Sequence, residues 1–234
     1  MQLAVISDLH LGAGGAADQF GHSDLEFSKL LDLLEGNFEK IVLLGDIWET
    51  LTGTSPGGAR RQLRAAREQH PEIARRFETD QYIYVHGNHD SVAAAEGVPD
   101  QHELYVDKVR IIFSHGHLGD PFIVRHRWLS ELGVWLGAWV CRVGWRRFYQ
   151  LCSELDARRG GALGEGARCV VRRWAEAHAG RERADIIVTG HTHVPARAEL
   201  DSCLFMNSGS CAQGRFQFLS LDTGGGNYQL HGAA

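Results

Sequence analysis

Five short runs of apolar residues, rich in valine and isoleucine, are spread along the first 190 residues of the chain. Runs of this length and composition predict β-strands, and they occupy 3–7, 41–44, 82–86, 109–114 and 186–189. Because the runs are almost continuously apolar, both faces of the predicted sheet should be covered. After residue 200, shorter alternating runs predict two more strands, at 204–206 and 216–221. This pattern is typical of a layered α/β protein.

Polar signals mark the helices between these strands. Ser23 and Glu26 have the spacing of a capping box, leucines at 30, 31 and 34 form one apolar face, and Gly36 follows as a stop signal. Residues 60–77 have a helical pattern that Pro71 should interrupt. Helices in these positions would cover the faces of the sheet.

Residues 121–179 have a different pattern. Apolar side chains recur at helical spacing from Trp128 to Val143 and cover most of the helix circumference, whereas an amphipathic surface helix shows one stripe. A glycine-rich turn at 160–166 and a second predicted helix at 167–179 follow. We therefore predict a helical cap, 121–179, inserted into a core domain of residues 1–120 and 180–234.

Charge is divided unevenly over the 234 residues. The composition is that of an ordinary globular protein, with 44% hydrophobic and 23% charged residues, and the net charge of −5 does not favour nucleic acid as a partner. Residues 118–183, however, carry 12 arginines against 7 acidic residues, so the rest of the chain is strongly acidic. A basic segment over an acidic body suits an anionic, phosphorylated substrate.

The cysteines and the first residues of the chain indicate the cellular compartment of the protein. The five cysteines are scattered without a CxxC pair, which favours reduced thiols in the cytoplasm. The first residues lack the basic region of a signal peptide and reach Asp8 early, so they predict a strand. The weakly charged stretch 133–145 is too short to span a bilayer.

Clusters of Asp, His and Asn follow the five predicted strands. In chain order they are Asp8-Leu9-His10, Gly45-Asp46, Gly87-Asn88-His89-Asp90, His115-Gly116-His117 and Gly190-His191-Thr192-His193. Together they supply carboxylates, an amide and imidazoles, which is the inventory of a two-metal hydrolytic site. Such a mixed set of ligands suits manganese, iron, zinc or nickel better than calcium or magnesium.

The clusters resemble the motifs of the calcineurin-like metallophosphoesterase family: DxH, GD, GNH[DE], H and GHxH. The resemblance implies a four-layer αββα sandwich and two divalent transition metal ions, with manganese favoured. By motif position, Asp8, His10 and His193 would hold the first metal; Asn88, His115 and His191 would hold the second; and Asp46 would be shared.

The resemblance also implies hydrolysis by a metal-activated water. His89 would then protonate the leaving oxygen, and Glu49 matches a position where some members carry an acid that orients this histidine. His117 could bind the substrate phosphate or support His115. Arg146 and Arg147 could clamp substrate phosphates or belong to a solvated helix face.

The helical insert and the opening Ser-Asp-Leu-His-Leu-Gly are similar to the UDP-diacylglucosamine pyrophosphohydrolase branch, which uses a helical lid over acyl chains. This chain has His89 where the branch typically carries Arg, and His117 where it usually has Asp. Three functions therefore stay open: hydrolysis of a pyrophosphate or phosphodiester with a bulky or lipidic group, a phosphatase or phosphodiesterase acting on small metabolites or nucleic acid ends, and a non-catalytic scaffold.

The apolar face of the cap is compatible with three hypotheses. It could pack only on the core, it could bind an acyl or aromatic group of the substrate, or it could touch the inner face of a membrane peripherally. The sequence makes no prediction of oligomeric state.

Overall fold

Two five-stranded β-sheets lie face to face in the part of the chain that this computed structural model describes, residues 1–54, 57–145, 169–201 and 203–232. The strands are β1 (Gln2–Ile6), β2 (Lys40–Leu44), β3 (Tyr82–Val85), β4 (Gln101–Val106), β5 (Val109–Ser114), β6 (Ile186–Thr189), β7 (Ala196–Glu199), β8 (Leu204–Asn207), β9 (Phe218–Asp222) and β10 (Asn227–His231). The first sheet has the order β10-β9-β1-β2-β3 and the second β4-β5-β6-β8-β7. β1, β2 and β3 are mutually parallel, as are β5, β6 and β8, whereas the remaining strands pair antiparallel.

The described residues form six α-helices, four of which cover the outer faces of the sheets. They are α1 (Asp24–Asn37), α2 (Ala59–Gln69), α3 (Pro71–Phe77), α4 (Pro121–Arg125), α5 (Arg127–Arg142) and α6 (Val170–Glu182). In β1, Leu3 and Val5 pack between the sheets, whereas Ala4 and Ile6 pack against α1, α2 and α3. On the other side, Ile112 of β5 packs against α6. This arrangement confirms the predicted α/β fold class with four αββα layers.

The seven predicted strands all form, each within two residues of the predicted bounds. The capping box is also confirmed, because the Ser23 hydroxyl accepts from the Glu26 N–H and the Glu26 carboxylate accepts from the Ser23 N–H. The helical segment 60–77 breaks into α2 and α3 at Pro71 as predicted. The predicted end at Gly36 is wrong, because α1 continues through it to Asn37.

The predicted cap contains two kinds of helix. α4 and α5 expose much of their apolar surface, whereas α6 buries Val171, Ala175 and Ala179, and the last two pack on the second sheet. α6 thus supplies an outer layer of the sandwich, and the division of the chain at residues 121 and 179 stays a prediction. Within the described residues, no helix is long and apolar enough to cross a membrane.

Candidate metal centre

The five polar clusters meet at one edge of the sandwich. Each follows the carboxyl end of a parallel strand: β1, β2 and β3 in the first sheet, β5 and β6 in the second. His115 from the second sheet reaches across to the first, with its Nε2 atom 3.2 Å from Asp46 Oδ2 and 3.9 Å from Asp8 Oδ1. The site therefore lies where the two sheets come together.

Unusual backbone conformations turn these side chains toward one point. Left-handed φ values are uncommon for residues other than glycine and cost about 1–3 kcal/mol each. Nine such residues occur in the described part of the chain, and five of them belong to the clusters: Asp8, His10, Asp46, His191 and His193. Strain concentrated in this way indicates a functional site.

Two glycines leave room for the side chains of the site. A Cβ atom on Gly45 would overlap the ring of His115, and one on Gly87 would overlap the carboxylate of Asp46. Gly45 also has a φ of +79°, which strains any other residue. The glycines in the GD and GNH motifs are therefore required by packing around the site.

Asp8, His10 and His193 form one group whose ligand atoms all lie within 4.8 Å of one another. The Nε2 atom of His193 lies 3.0 Å from Asp8 Oδ1 and 3.3 Å from His10 Nε2. The other carboxylate oxygen of Asp8 accepts from the Ser7 hydroxyl and from the His191 N–H. Although burial opposes its ionisation, nearby His193 and His115 lower the pKa of Asp8 to about 2.

Asp46, His115 and His191 form a second group of the same size. Burial opposes the charged form of His115, but the carboxylates of Asp46 and Asp8 outweigh it and raise its pKa to about 9. A cation bound at this histidine has to displace that proton, so metal binding here is coupled to pH. The two groups contain six of the seven ligands that the sequence predicted. The seventh, Asn88, precedes His89, whose backbone N–H donates to Asp46 Oδ1.

Three of these histidines have one ring nitrogen directed at a protein group. Glu49 Oε2 lies 3.3 Å from His10 Nδ1, the Leu44 carbonyl oxygen accepts from His115 Nδ1 at 2.8 Å, and Asp120 Oδ2 lies 3.6 Å from His191 Nε2. A histidine that binds a metal through one ring nitrogen usually donates the N–H of the other to such a partner, which fixes the tautomer. The opposite nitrogen of each ring is left for a cation.

Unsatisfied buried atoms fit this interpretation. Asp8 Oδ1, Asn88 Oδ1 and His115 Nε2 are fully buried and make no hydrogen bond of good geometry with the described residues. Buried polar atoms are usually satisfied, so exceptions need an explanation. For Asp8 Oδ1 and His115 Nε2, contacts within 4 Å join them to other candidate ligands. The donor set therefore fits metal ions.

Glu49 contacts both His10 and His89. Its Oε2 atom is 2.7 Å from His89 Nδ1, and its side chain is completely buried. Burial opposes both charges, but the pair stabilise each other, so the pKa of Glu49 falls to about 2 and that of His89 rises to about 10. His89 is thus held protonated, with Nε2 left to donate a proton.

This ion pair predicts the pH dependence of stability in the metal-free protein. The Glu49 contribution is present above its unfolded pKa of 4.5 and is lost as the pH falls from 4.5 toward 2. The His89 contribution is present below 6.5 and is lost as the pH rises from 6.5 toward 10. The stability that this pair contributes should therefore be greatest between these limits, and thermal unfolding in a chelator measures it as a function of pH.

The variant Glu49→Gln should flatten both limbs of that profile, because a neutral amide stabilises neither charge. The exposed Glu39→Gln serves as the control and should leave the profile unchanged. Parallel profiles for wild type and Glu49→Gln would contradict the assigned ion pair.

Asp90 is a site residue whose role sequence reasoning missed, although it ends the GNHD motif. Its buried carboxylate accepts from the backbone N–H of Ile47 at 2.8 Å and of Gly87 at 2.6 Å, and from the Tyr84 hydroxyl at 2.6 Å. It thereby joins the loop that carries Asp46 to the loop that carries Asn88. Only the folded backbone brings these donors together, so spacing alone gives no signal.

Replacing Asp90 by asparagine should lower the free energy of unfolding by about 1–3 kcal/mol, because an amide nitrogen would face buried N–H donors. Urea unfolding of the metal-free protein measures this loss. The matched variant Asp18→Asn, which also removes a carboxylate that accepts two backbone N–H bonds but is only half-buried, should cost less. Equal stability of Asp90→Asn and wild type would contradict the role.

His117 and Asn88 line a small cleft of about 30 Å³ beside the metal groups. Burial and the neighbouring His115 lower the pKa of His117 to about 3, so it is neutral, and its buried Nδ1 has no partner among the described residues. The other cleft walls come from Leu51, Ser91, Ile123, Arg127, Ser130 and Glu131. Arg146 and Arg147 lie outside the described residues, whereas Arg127, missed by sequence reasoning, faces the cleft.

Comparison with solved structures finds similar folds. Vps29 from Chaetomium thermophilum is 17% identical, with 94% of this chain and 81% of that chain covered and a TM-score of 0.50, which shows the fold alone. A predicted phosphoesterase from Streptococcus pneumoniae TIGR4 is 21% identical over 94% and 83% of the two chains, with a TM-score of 0.44. The phosphoesterase Yfce from E. coli is 17% identical over 99% of both, with a TM-score of 0.46.

Sequence comparison identifies the family. No curated protein matches the chain. The family model described as calcineurin-like phosphoesterase matches residues 1–195, which include all five clusters. The match and the geometry at the strand ends agree: the chain belongs to the calcineurin-like phosphoesterase family.

Proposed function

We propose that this protein hydrolyses a pyrophosphate or phosphodiester bond with water activated at a pair of divalent metal ions, manganese being favoured. One observation carries the proposal: the group that contains Asp8 and the group that contains Asp46 lie side by side. The Nε2 atom of His115 is within 4 Å of both carboxylates. The unsatisfied buried atoms of the two groups also fit bound cations. The assignment of Asp46 as the shared ligand and of Asn88 to the second metal belongs to this proposal.

The protein's own side chains supply the remaining chemistry. When bound, paired cations activate water and neutralise the charge of the phosphoryl oxygens. His89, held protonated by Glu49, gives its proton to the departing oxygen. Glu49 keeps the His89 ring in place and fixes the tautomer of His10 at the same time.

Helix α5 supports a substrate with a bulky group. It contacts the loops that follow three site-bearing strands: Arg127 donates to the Ser91 hydroxyl at 2.7 Å, Arg142 donates to the Gly53 carbonyl oxygen at 3.2 Å, and Ala138 packs on Ala17. The helix therefore lies across the loops that carry the ligands. We therefore place the path of the substrate to the metals beside this helix.

The outer surface of α4 and α5 is apolar. Between 37% and 66% of each of seven large side chains is exposed: Phe122, Val124, Trp128, Leu129, Leu132, Leu136 and Trp139. This surface suits the acyl chains of a nucleotide–lipid substrate similar to UDP-diacylglucosamine. We extend the proposal to such a substrate and to a cytoplasmic enzyme that approaches the inner membrane face peripherally.

A small-molecule phosphatase or phosphodiesterase is the second candidate. The narrow cleft beside Asn88 and His117 favours it, because about 30 Å³ admits little more than a small group next to the metals. Rates on short-chain and lipid-linked substrates separate the two candidates.

Hydrolysis of bis-p-nitrophenyl phosphate tests the proposed reaction. The metal-free protein should be inactive and should regain turnover with two equivalents of Mn²⁺. A fully metallated protein that turns over no phosphodiester, pyrophosphate or phosphomonoester would contradict the proposal.

Replacement of Trp128 and Trp139 by alanine tests the apolar surface. The double variant should lose turnover of a UDP-diacylglucosamine-like substrate in detergent while keeping turnover of bis-p-nitrophenyl phosphate. The matched double variant Leu25→Ala and Leu33→Ala removes exposed apolar side chains from α1 and should change neither rate. Unchanged lipid-substrate turnover in the tryptophan variant would favour the second candidate.

A further inference from the structure

Asp120 lies between the metal centre and the helices that follow it. Its side chain is buried, with 6% of the residue exposed. Oδ1 accepts from the N–H of Phe122 at 2.9 Å and of Ile123 at 3.4 Å, which caps α4, and Oδ2 lies 3.6 Å from His191 Nε2. One carboxylate thus contacts both a candidate metal ligand and a helix N-terminus.

We propose that Asp120 is a positioning residue that fixes the ring orientation and tautomer of His191 for the second metal ion; this inference rests on the proposed function. The negative Oδ2 atom faces Nε2, so it favours the tautomer with the proton on that nitrogen. Nδ1 is then left for the group that contains Asp46 and His115. Sequence spacing gives no sign of this role, since a short 3₁₀ turn, His117–Gly119, separates Asp120 from His115.

The surroundings of His191 support this assignment. The backbone of His191 has a φ of +70°, and its N–H donates to Asp8 Oδ2 at 3.0 Å, so the main chain is already fixed. The ring itself packs edge-on against His115, with ring centroids 5.3 Å apart. Asp120 adds a negative oxygen 3.6 Å from Nε2, which favours the ring orientation with Nδ1 toward the metal group.

At two neighbouring ligands, too, one ring nitrogen faces a protein oxygen. His10 Nδ1 faces Glu49 and His115 Nδ1 donates to the Leu44 carbonyl oxygen, which leaves Nε2 of each ring for a cation. His191 is reversed, because its Nε2 atom faces the protein group. We therefore expect His191 to bind a cation through Nδ1, and His10 and His115 through Nε2.

The variant Asp120→Asn separates positioning from helix capping. Asparagine is as good a helix cap as aspartate, so its oxygen can keep the bonds to α4. Its NH₂ group would then face His191 Nε2 as a donor and favour a proton on Nδ1, where it blocks metal binding. Loss of such a supporting partner typically weakens metal binding about 10–100-fold.

Zn²⁺ titration followed by calorimetry is the experiment. Wild type should bind two Zn²⁺ ions, whereas Asp120→Asn should bind one normally and the other about 10–100-fold more weakly. Nitrogen chemical shifts of the Zn²⁺-bound wild type should show the metal on Nδ1 of His191 and the proton on Nε2. Asp185→Asn, at the opposite end of β6, serves as control and should bind two ions normally.

A second variant guards against a folding defect. Asp120→Ser keeps a capping hydroxyl but has no group that reaches His191, so it should show the same loss of one Zn²⁺ ion. Hydrogen exchange of the backbone N–H groups of residues 122–125 in both metal-free variants should match wild type, which would show that the N-terminus of α4 is still capped.

The outcomes distinguish the two proposals. Two normal Zn²⁺ sites in both Asp120 variants, or Zn²⁺ on Nε2 of His191 in wild type, would overturn the positioning role while leaving the proposed function intact. Fewer than two Zn²⁺ ions in wild type would contradict the proposed function itself and this inference with it.

Discussion

Replacing Asp46 by asparagine is expected to reduce hydrolysis of bis-p-nitrophenyl phosphate by about a thousand-fold or more. Its Oδ1 atom accepts from the His89 N–H, and an amide oxygen can retain that bond, so the NH₂ group falls where Oδ2 faces His115. An amide nitrogen cannot bind a cation. Loss of the proposed shared ligand should remove several kcal/mol of metal-dependent stabilisation, and each 1.36 kcal/mol is about tenfold in rate.

Saturating Mn²⁺ should not restore this activity, because the defect lies in the position of the metals and not only in their affinity. Asp185→Asn provides the matched control, since it makes the same chemical change at the other end of β6 and should keep full activity. Recovery of wild-type turnover by Asp46→Asn in excess Mn²⁺ would show that Asp46 is not the shared ligand.

Replacing His89 by asparagine is expected to slow hydrolysis by about 10²–10⁴-fold for substrates whose leaving group needs a proton. The effect should be far smaller with bis-p-nitrophenyl phosphate, because p-nitrophenolate departs without protonation. Rates on an alkyl phosphodiester and on the nitrophenyl ester, measured side by side, give the comparison. This dependence on the leaving group is the signature of a general acid, which a purely structural histidine lacks.

The control for His89 is His178→Asn, which removes an imidazole that contacts Gln101 on the second sheet, away from the metal groups. It should leave both rates unchanged. Equal losses on the two substrates in His89→Asn would contradict the general-acid role and would instead indicate damage to the metal centre, since the His89 N–H also contacts Asp46.

Continuous apolar runs made the central strands predictable. β1, β2, β5 and β6 are buried on both faces, so their sequences carry an unbroken signal. β4, β7 and β10 were not predicted, because these edge strands alternate between exposed and half-buried side chains and include many polar residues. Their pairing depends on a neighbouring strand that the local pattern does not reveal.

The candidate ligands were predictable because each stands directly after such a strand. Parallel strands end at a common edge, so residues far apart in sequence meet there. The partners of the ligands were harder to foresee: Asp90, Asp120 and the contact of Glu49 with His10 depend on loops that fold over one another. The sequence pattern of α6 likewise shows an apolar face without indicating that it packs on the second sheet.

Anomalous diffraction from crystals grown with Mn²⁺ tests the central claim most directly. Two anomalous peaks about 3.5–4 Å apart are expected at the strand ends. One should be bound by Asp8, His10 and His193, the other by Asn88, His115 and His191, with Asp46 bound to both. A single peak, or two peaks that do not share Asp46, would contradict the binuclear centre.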